Sequence, residues 1–200
     1  MDALLRILLP IYFVVYFAAA FFWRSYRVWK QTGVNPYVLG KTDNAHDFIG
    51  KIFRLTSGLS VVVIILYATS TSWYQYLAPI IWLQRSALRW CGLLLLVLSL
   101  IWIAIAQAQM GSSWRIGIDA KRQTTLVHHG LFRLSRNPIF LGMRVNLLGF
   151  FLVLPNAATL LILILGDVLM QIQVRLEEEY LRQVHGKEYQ QYCRQTRRWI

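Results

Sequence analysis

Five apolar stretches, separated by short polar segments, constrain this chain more than any other feature of its sequence. A stretch of about 20 apolar residues is long enough to cross a bilayer as one helix. An apolar content of 56% is also too high for an ordinary soluble domain. We therefore expect an all-α, polytopic membrane protein with five transmembrane helices, at residues 4–23, 55–72, 87–108, 139–154 and 157–174.

The last two stretches are shorter than a usual span, and only Pro155 and Asn156 separate them. This spacing predicts a tight hairpin of two antiparallel helices, followed by a charged helical segment in the cytoplasm. No repeat or linker-like segment divides the chain, so residues 1–200 are expected to form a single domain. The first stretch continues past Ala20 to Trp23, which favours a retained span over a cleaved signal peptide.

The positions of the Lys and Arg residues predict the orientation. Residues 24–54, 109–138 and 175–200 carry six, five and six of them, whereas the alternating segments together carry three. By the positive-inside rule, the N-terminus lies outside and the C-terminus lies in the cytoplasm. We expect an integral, multi-pass protein of the bacterial inner membrane. Cys91 and Cys193 then lie on opposite sides of the membrane, which excludes a disulfide between them.

A formal net charge of +12 could indicate a nucleic-acid partner, but the basic residues are dispersed between apolar stretches. We attribute the charge to membrane orientation and to attraction by anionic membrane lipids, and we expect no nucleic-acid partner. The His residues lack the spacing of metal ligands, so no metal site is expected. Because the Gly-x-Gly motif and the complete Gly-x-x-x-x-Gly-Lys-Ser/Thr phosphate loop are absent, a nucleotide-like cofactor would need another kind of site.

Arg133 and Arg136 precede the fourth apolar stretch, which should begin as a helix at Pro138 with Asn137 as its N-cap. The free amide groups of the first turn and the positive end of the helix dipole would then lie beside two arginines. Together they could bind a carboxylate or a phosphate. The alternative is an ordinary capped helix whose arginines reach lipid headgroups.

Small or polar residues form one stripe on this helix, and we expect that stripe to face the fifth apolar stretch, with a ligand at its cytoplasmic end as the more specific alternative. Its members are Pro138, Gly142, Asn146 and Gly149. A matching polar line on the fifth stretch consists of Asp167, Gln171, Val174 and Glu178.

Arg144 and Asp167 should form an ion pair within the membrane. Arg144 lies about 9 Å past Pro138, and Asp167 lies about 10 Å before the end of the fifth stretch, at 1.5 Å per residue. An unpaired charge costs at least about 2.5 kcal/mol at mid-membrane. The pair could serve packing alone, or it could belong to a substrate pocket open to the cytoplasm. The residues of that pocket would be Arg144, Asn146, Asp167 and Gln171.

Three consecutive carboxylates, Glu177 to Glu179, begin the charged C-terminal segment. A solvated helix face would explain them. Because Glu178 continues the polar line of the fifth stretch, a second interpretation is that carboxylates here accept hydrogen bonds from ribose hydroxyls or offset a cationic sulfonium.

Two motifs in the last 75 residues resemble those of the integral-membrane methyltransferases that include isoprenylcysteine carboxyl methyltransferase and the phospholipid N-methyltransferases. Residues 136–142, Arg-Asn-Pro-Ile-Phe-Leu-Gly, are similar to the family's Arg-His/Asn-Pro motif. The second motif consists of Glu177, Glu178, Leu181, Gly186, Tyr189 and Tyr192. Asn137 stands where eukaryotic members have histidine, and Phe132 and Phe140 stand where tyrosines are frequent.

The resemblance implies that S-adenosylmethionine binds in the C-terminal half, residues 115–200, and that Arg136 and the helix start hold its carboxylate end. It implies catalytic roles for Arg136, Glu177 and Glu178, with His129 as a further candidate for a general base. The implied cofactor-binding residues are Leu126, Val127, His129, Gly130, Leu131, Phe132, Arg136, Asn137, Pro138, Gly142, Glu177 and Glu178.

The expected reaction is methyl transfer to a lipid-soluble or lipid-attached acceptor at the cytoplasmic membrane face. The acceptor could be an isoprenylcysteine carboxylate, a phospholipid amine or a hydrophobic thiol. Two alternatives remain open. One is an NADPH-dependent membrane enzyme of the sterol-reductase type, and the other is a non-catalytic lipid-binding membrane protein.

Overall fold

The computed structural model describes residues 1–33, 45–114 and 125–200, and its regular elements are helices. The expected all-α class is therefore confirmed. The main helices are α1 (Asp2–Phe17), α2 (Arg24–Thr32), α3 (Ala45–Thr69), α4 (Thr71–Gln75), α5 (Ser86–Met110), α6 (Pro138–Val153) and α7 (Ala157–Gln195). A π-helical segment, Ala18–Trp23, joins α1 to α2, and short 3-10 turns lie at Ile81–Leu83, Gly111–Ser113 and Gly130–Arg133.

Four helical segments are long and apolar enough to cross a membrane: the continuous segment Asp2–Thr32 and helices α3, α5 and α7. Helix α6 is equally apolar but shorter, with 16 residues. Large apolar side chains are exposed along these helices, as expected for surfaces that face lipid. The chain is therefore a multi-pass membrane protein, and the crossing by α6 stays a prediction.

The continuous helical segment Asp2–Thr32 and helices α3 and α7 extend well beyond the predicted spans. Helix α3 begins at Ala45 rather than at residue 55, because its polar first turns pack on α7 and are partly buried there. Helix α7 continues through the charged segment to Gln195, as predicted for a helical extension. Gly186 bends this extension with a φ of +50°, a backbone conformation that favours glycine.

The predicted tight hairpin of α6 and α7 is confirmed. Asn156 is fully buried and caps α7, since its side chain accepts a hydrogen bond from Thr159 N at 2.9 Å. The Thr159 hydroxyl accepts one from Asn156 N at 3.2 Å, which completes a capping box. Asn156 Nδ2 also donates to Tyr74 Oη at 3.2 Å, so the hairpin tip is attached to α4.

The stripe of small residues on α6 faces α5, so the prediction that it faces the last apolar helix is wrong. A Cβ atom at Gly149 would lie 2.9 Å from Gly92 O, and one at Gly142 would lie 2.6 Å from Ile103 Cγ1. Asn146 donates to Ser99 Oγ at 3.1 Å. A stripe of small residues could pack against either α5 or α7. It packs against α5 because glycines on both α5 and α6 let these two helices approach each other closely.

Helix α7 packs on α6 in a different way. Here the glycine is on α7: a Cβ atom at Gly166 would lie 2.4 Å from Leu147 Cδ1 of α6. Helix α1 completes the bundle, because Asn146 also donates to Tyr12 Oη and that hydroxyl donates to Leu96 O at 2.8 Å. Glycines and buried hydrogen bonds thus fix the positions of α6 and α7, which carry the candidate site.

The close approach of α5 and α6 predicts that Gly149→Ala is destabilising. The new methyl group meets backbone atoms, which cannot rotate away, so we expect a loss of about 1–3 kcal/mol. Gly58→Ala is the matched control, because a Cβ atom at Gly58 meets nothing within 4 Å. Thermal unfolding in detergent should show a lower Tm for Gly149→Ala and an unchanged or higher Tm for Gly58→Ala. Equal values for the two variants would contradict the packing.

Candidate functional site

A buried carboxylate, Glu178, is the centre of the candidate site. Only 2% of this residue is exposed, and it accepts five hydrogen bonds from three side chains. Arg136 donates to both carboxylate oxygens at 3.2 Å, and Asn137 Nδ2 donates to Oε1 at 3.0 Å. Helix α7 is thereby attached to the start of α6. Glu178 of the second motif thus contacts Arg136 and Asn137 of the first motif.

Arg198 supplies the remaining two hydrogen bonds to Glu178, through Nε at 3.1 Å and Nη2 at 2.8 Å. The backbone of the C-terminal segment, residues 196–200, follows the start of α6. Arg136 N donates to Arg197 O at 2.9 Å, and Arg136 Nη1 donates to Thr196 O at 2.7 Å. Two guanidinium groups and one carboxylate leave this cluster with one net positive charge, which favours a further anion.

Glu178 lies beyond the apolar part of α7, which ends at Val174. Burial alone would raise the pKa of the Glu178 carboxyl, but hydrogen bonds from Arg198 and Asn137 and the charges of Arg136 and Arg198 hold that pKa below its ordinary value. The hydrogen bond to Glu178 raises the pKa of Arg198 in turn. Glu178 is therefore ionised at neutral pH and is a poor proton acceptor.

The helix start at Pro138 is confirmed, but Asn137 does not cap it with its side chain. That amide donates to Glu178 instead and also to Arg198 O at 3.3 Å, while Asn137 N donates to Ser135 Oγ at 3.1 Å. The carboxylate offers a charged acceptor, and a hydrogen bond to it is stronger than one between neutral groups. The predicted cap is thus replaced by a contact within the cluster.

A cavity of about 780 Å³ lies beside this cluster, within the range usual for small-molecule sites. Its lining is largely polar and consists of Leu126, His128, His129, Arg133, Glu188, Gln191, Tyr192, Gln195 and Thr196. Thr196 connects the two features, because its carbonyl accepts the hydrogen bond from Arg136. Of the loop residues that the resemblance implied, Leu126 and His129 line this cavity.

The rest of the predicted loop is attached to α5 and α7 next to the cavity. Gly130 has a φ of +60°, and a Cβ atom there would lie 2.4 Å from the side chain of Gln109. Leu131 N donates to Gln109 Oε1 at 2.8 Å, which attaches the loop to α5. Phe132 is buried and its carbonyl accepts from Tyr192 Oη at 2.6 Å. Val127 is partly buried.

Glu177 and Glu178 point to different sides of α7. Glu177 Oε1 accepts a hydrogen bond from Gln173 Nε2 at 2.8 Å, and Gln173 Oε1 lies 2.8 Å from Nδ1 of His46 on α3. Consecutive helical residues differ by about 100° in direction, so one carboxylate reaches the start of α6 and the other faces α3. The structure does not bring the predicted catalytic residues Arg136 and Glu177 together.

The predicted ion pair is present, with Arg144 Nε 2.5 Å from Asp167 Oδ1. Trp199 of the C-terminal segment lies over the Arg144 guanidinium, at 4.5 Å from ring centroid to Cζ. The other two residues of the predicted substrate pocket lie elsewhere. Asn146 is buried against α1 and α5, and the Gln171 side chain binds Arg175 at 3.0 Å on the surface of α7. The four side chains do not line one pocket.

Sequence reasoning missed Arg198, His46 and Gln173. Arg198 stands in a run of basic residues that has no motif spacing, and His46 lies in a segment that was not included in a span. The Gln173–Glu177 spacing of four residues was the available signal, because side chains at that spacing share a helix face. Among the described residues, no group of three His, Cys, Asp or Glu side chains could hold a metal ion.

Comparison with known proteins assigns the chain to a family. A family model for phospholipid methyltransferase matches residues 87–188, about half of the chain. No curated protein matches the chain significantly. The matched part begins in α5 and includes the start of α6, Arg136, Glu177 and Glu178. The resemblance indicated by the two motifs is confirmed, and the chain belongs to the phospholipid methyltransferase family.

Proposed function

We propose that this protein transfers a methyl group from S-adenosylmethionine to an acceptor carried by a lipid, at the membrane face where the C-terminal segment lies. Membership of the family implies a methyltransferase that uses S-adenosylmethionine and acts on a lipid. The observation that carries the proposal further is the polar cavity beside the buried Glu178 cluster. The acceptor could be a phospholipid amine, an isoprenylcysteine carboxylate or a hydrophobic thiol.

The residues around the cavity fit this cofactor. Leu126, His128 and His129 would line the nucleoside, with the loop 126–132 held in place by Gln109. The amino-acid end of the cofactor carries a carboxylate and an ammonium group. The net positive charge of the cluster, with Arg133 on the cavity wall, would bind the carboxylate, and Glu178 would attract the ammonium. Arg136 would act mainly by holding Glu178 and the C-terminal segment.

The cofactor supplies a methyl group activated by a positively charged sulfur. The protein has to hold donor and acceptor in line and exclude water, since positioning supplies much of the acceleration for such a displacement. The rigid attachment of α6 to α5, and of α7 to the start of α6, provides that positioning. We propose that Gly142 contributes through this packing, and that Asn137 and Pro138 contribute by placing the start of α6.

Methyl transfer itself is the first prediction. Purified protein incubated with methyl-labelled S-adenosylmethionine should place label on one of three defined lipids: phosphatidylethanolamine, a prenylated cysteine or a long-chain thiol. NADPH oxidation without transfer of label would instead favour the reductase. A protein that binds lipid but shows neither methyl transfer nor NADPH oxidation, and does not bind S-adenosylhomocysteine, would favour the non-catalytic lipid-binding alternative.

The cavity can be tested separately from activity. Gln191→Trp should fill the cavity that Gln191 lines and weaken binding of S-adenosylhomocysteine at least about tenfold, a loss of roughly 1.4 kcal/mol. Gln190→Trp is the matched control, because the neighbouring Gln190 is exposed and does not line the cavity. Calorimetric titration measures the affinity of both variants for S-adenosylhomocysteine. Equal affinities would contradict binding of the cofactor in this cavity.

Substitutions of Glu178 and of the adjacent Glu179 form a matched pair that tests the buried cluster. Glu178→Gln leaves the largely buried Arg136 and the partly exposed Arg198 without their anion, so we expect a stability loss of about 3–5 kcal/mol together with loss of methyl transfer. Glu179→Gln removes an exposed charge and should change neither property by much. Unfolding in detergent and transfer of label are measured on both variants. A Glu178→Gln protein with wild-type stability would contradict the role assigned to the cluster.

We propose that the C-terminal segment and the cavity face the cytoplasm. In a protein whose own cysteines are replaced by serine, Tyr76→Cys and Gln190→Cys place single thiols at exposed positions on opposite ends of the bundle. An impermeant maleimide added to intact cells should label the thiol at position 76 and should reach position 190 only after permeabilisation. The reverse pattern would overturn the orientation.

A further inference from the structure

The ion pair between α6 and α7 is only partly satisfied by the protein itself. Arg144 Nε donates to Asp167 Oδ1 at 2.5 Å, and 28% and 37% of the two side chains are exposed. A guanidinium carries five N–H groups, of which this contact uses one. Among the described residues, no oxygen accepts a hydrogen bond from Nη1 or Nη2 of Arg144, and no donor reaches Asp167 Oδ2. The pair therefore offers a cationic and an anionic contact to a ligand.

The pair lies near the membrane face that carries the C-terminal segment. Arg144 is about 9 Å along the axis of α6 from its start at Pro138, at 1.5 Å per residue. Helical side chains lean toward the N-terminus of their helix, which for α6 is this face, so the guanidinium lies closer to the lipid headgroups than its own Cα atom. Trp199 lies over the guanidinium at 4.5 Å, and Trp is typical of this interface.

Apolar side chains continue from the pair toward the middle of the membrane. Leu148 follows Arg144 on α6 and is 40% exposed, and Ile164 precedes Asp167 on α7 and is 56% exposed. Because α6 and α7 run in opposite directions, both of these side chains lie deeper in the membrane than the pair. Polar contacts near the headgroups, with exposed apolar side chains below them, match the chemistry of a lipid.

We propose that Arg144, Asp167 and Trp199 form a binding site for the headgroup of a zwitterionic phospholipid with a primary amine, of the phosphatidylethanolamine class. The lipid phosphate accepts two parallel hydrogen bonds from Nη1 and Nη2 of Arg144. The ammonium group donates to Asp167 Oδ2. Trp199 fixes the plane of the guanidinium by its cation–π contact. The inference concerns binding and does not depend on methyl transfer.

Charge balance selects among headgroups at this site. The ion pair is neutral, and a zwitterionic headgroup adds equal and opposite charges, so the complex stays neutral in a medium of low dielectric constant. Phosphatidylglycerol adds a net negative charge beside Asp167. Phosphatidylcholine has the matching charges, but its quaternary ammonium group has no N–H to donate to Asp167. Phosphatidylethanolamine should therefore bind more tightly than either.

The same site holds the end of the chain over the start of α6. Arg198 precedes Trp199 and donates to Glu178, while its carbonyl accepts a hydrogen bond from Ser135 Oγ at 3.1 Å. A lipid that fixes Arg144 and Trp199 therefore also stabilises the segment that supplies Arg198 to the buried cluster. Binding of this lipid should raise the Tm of the protein, because a ligand of the folded state stabilises it.

Lipid titration tests the site without turnover. The protein in detergent is titrated with phosphatidylethanolamine, phosphatidylcholine or phosphatidylglycerol of identical acyl chains, and native mass spectrometry gives the Kd of the first bound lipid. Phosphatidylethanolamine should bind at least about tenfold more tightly than the other two, since it alone makes charge-assisted hydrogen bonds to both members of the pair. Equal affinities, or tightest binding of phosphatidylglycerol, would overturn the inference.

A double substitution locates the site. Arg144→Met together with Asp167→Leu removes both charges, so no unpaired charge remains in the membrane, and the preference for phosphatidylethanolamine should fall to within about twofold. Arg175→Gln is the matched control, because the exposed Arg175 lies on the same helix outside the pair, and it should keep the full preference. An unchanged preference in the double variant would also contradict the assignment.

Trp199 keeps the test decisive where the double variant does not fold. Trp199→Ala should weaken binding of phosphatidylethanolamine about threefold or more, through loss of the contact with the guanidinium. Ile200→Ala, at the exposed neighbouring residue, should leave the affinity unchanged. Equal affinities of these two variants would count against the site. A protein that methylates no lipid would overturn the proposed function, but the binding measurements would still decide this inference.

Discussion

The burial of one carboxylate, Glu178, is the constraint on which the site depends. A buried charge without partners is strongly unfavourable, and here the partners come from separate parts of the chain: the start of α6 and the C-terminal segment. The same arginine that neutralises Glu178 also binds the carbonyl of Thr196. The requirement to pair one anion thus brings α6, α7 and residues 196–200 into a fixed arrangement and closes one side of the cavity.

This arrangement depends on how the helices pack inside the membrane. Apolar surface gains little by burial against another helix when the alternative is lipid, so close backbone approach and hydrogen bonds must hold the bundle together. Gly92 and Gly149 supply the approach between α5 and α6, and Asn146 supplies hydrogen bonds to α1 and α5. Because α6 is fixed against α5 along its length, its first turn is fixed as well. The residues that bind Glu178 are therefore presented by a rigid helix end.

Hydrophobic patterning predicted the five apolar helices and their hairpin, because long apolar runs and a Pro-Asn connection have few alternative structures. Pairing of charges at equal depth predicted the contact of Arg144 with Asp167. Spacing alone could not show that the small stripe of α6 faces α5, since a stripe identifies a helix face and leaves the neighbour open. The contact of Arg198 with Glu178 depends on the path of the last residues, for which no periodicity exists.

The two neighbouring glutamates show how position on a helix separates chemical roles. Glu177 and Glu178 have identical side chains, but a rotation of about 100° gives them different neighbours. Guanidinium groups contact Glu178 and stabilise its charge, so this carboxylate holds the start of α6 and the C-terminal segment together. Glu177 receives a hydrogen bond from an uncharged amide, which orients the carboxylate without opposing its charge by an ion pair at that contact. Environment rather than residue type therefore decides what each carboxylate can do, and the carboxylate held by two arginines is the one beside the cavity.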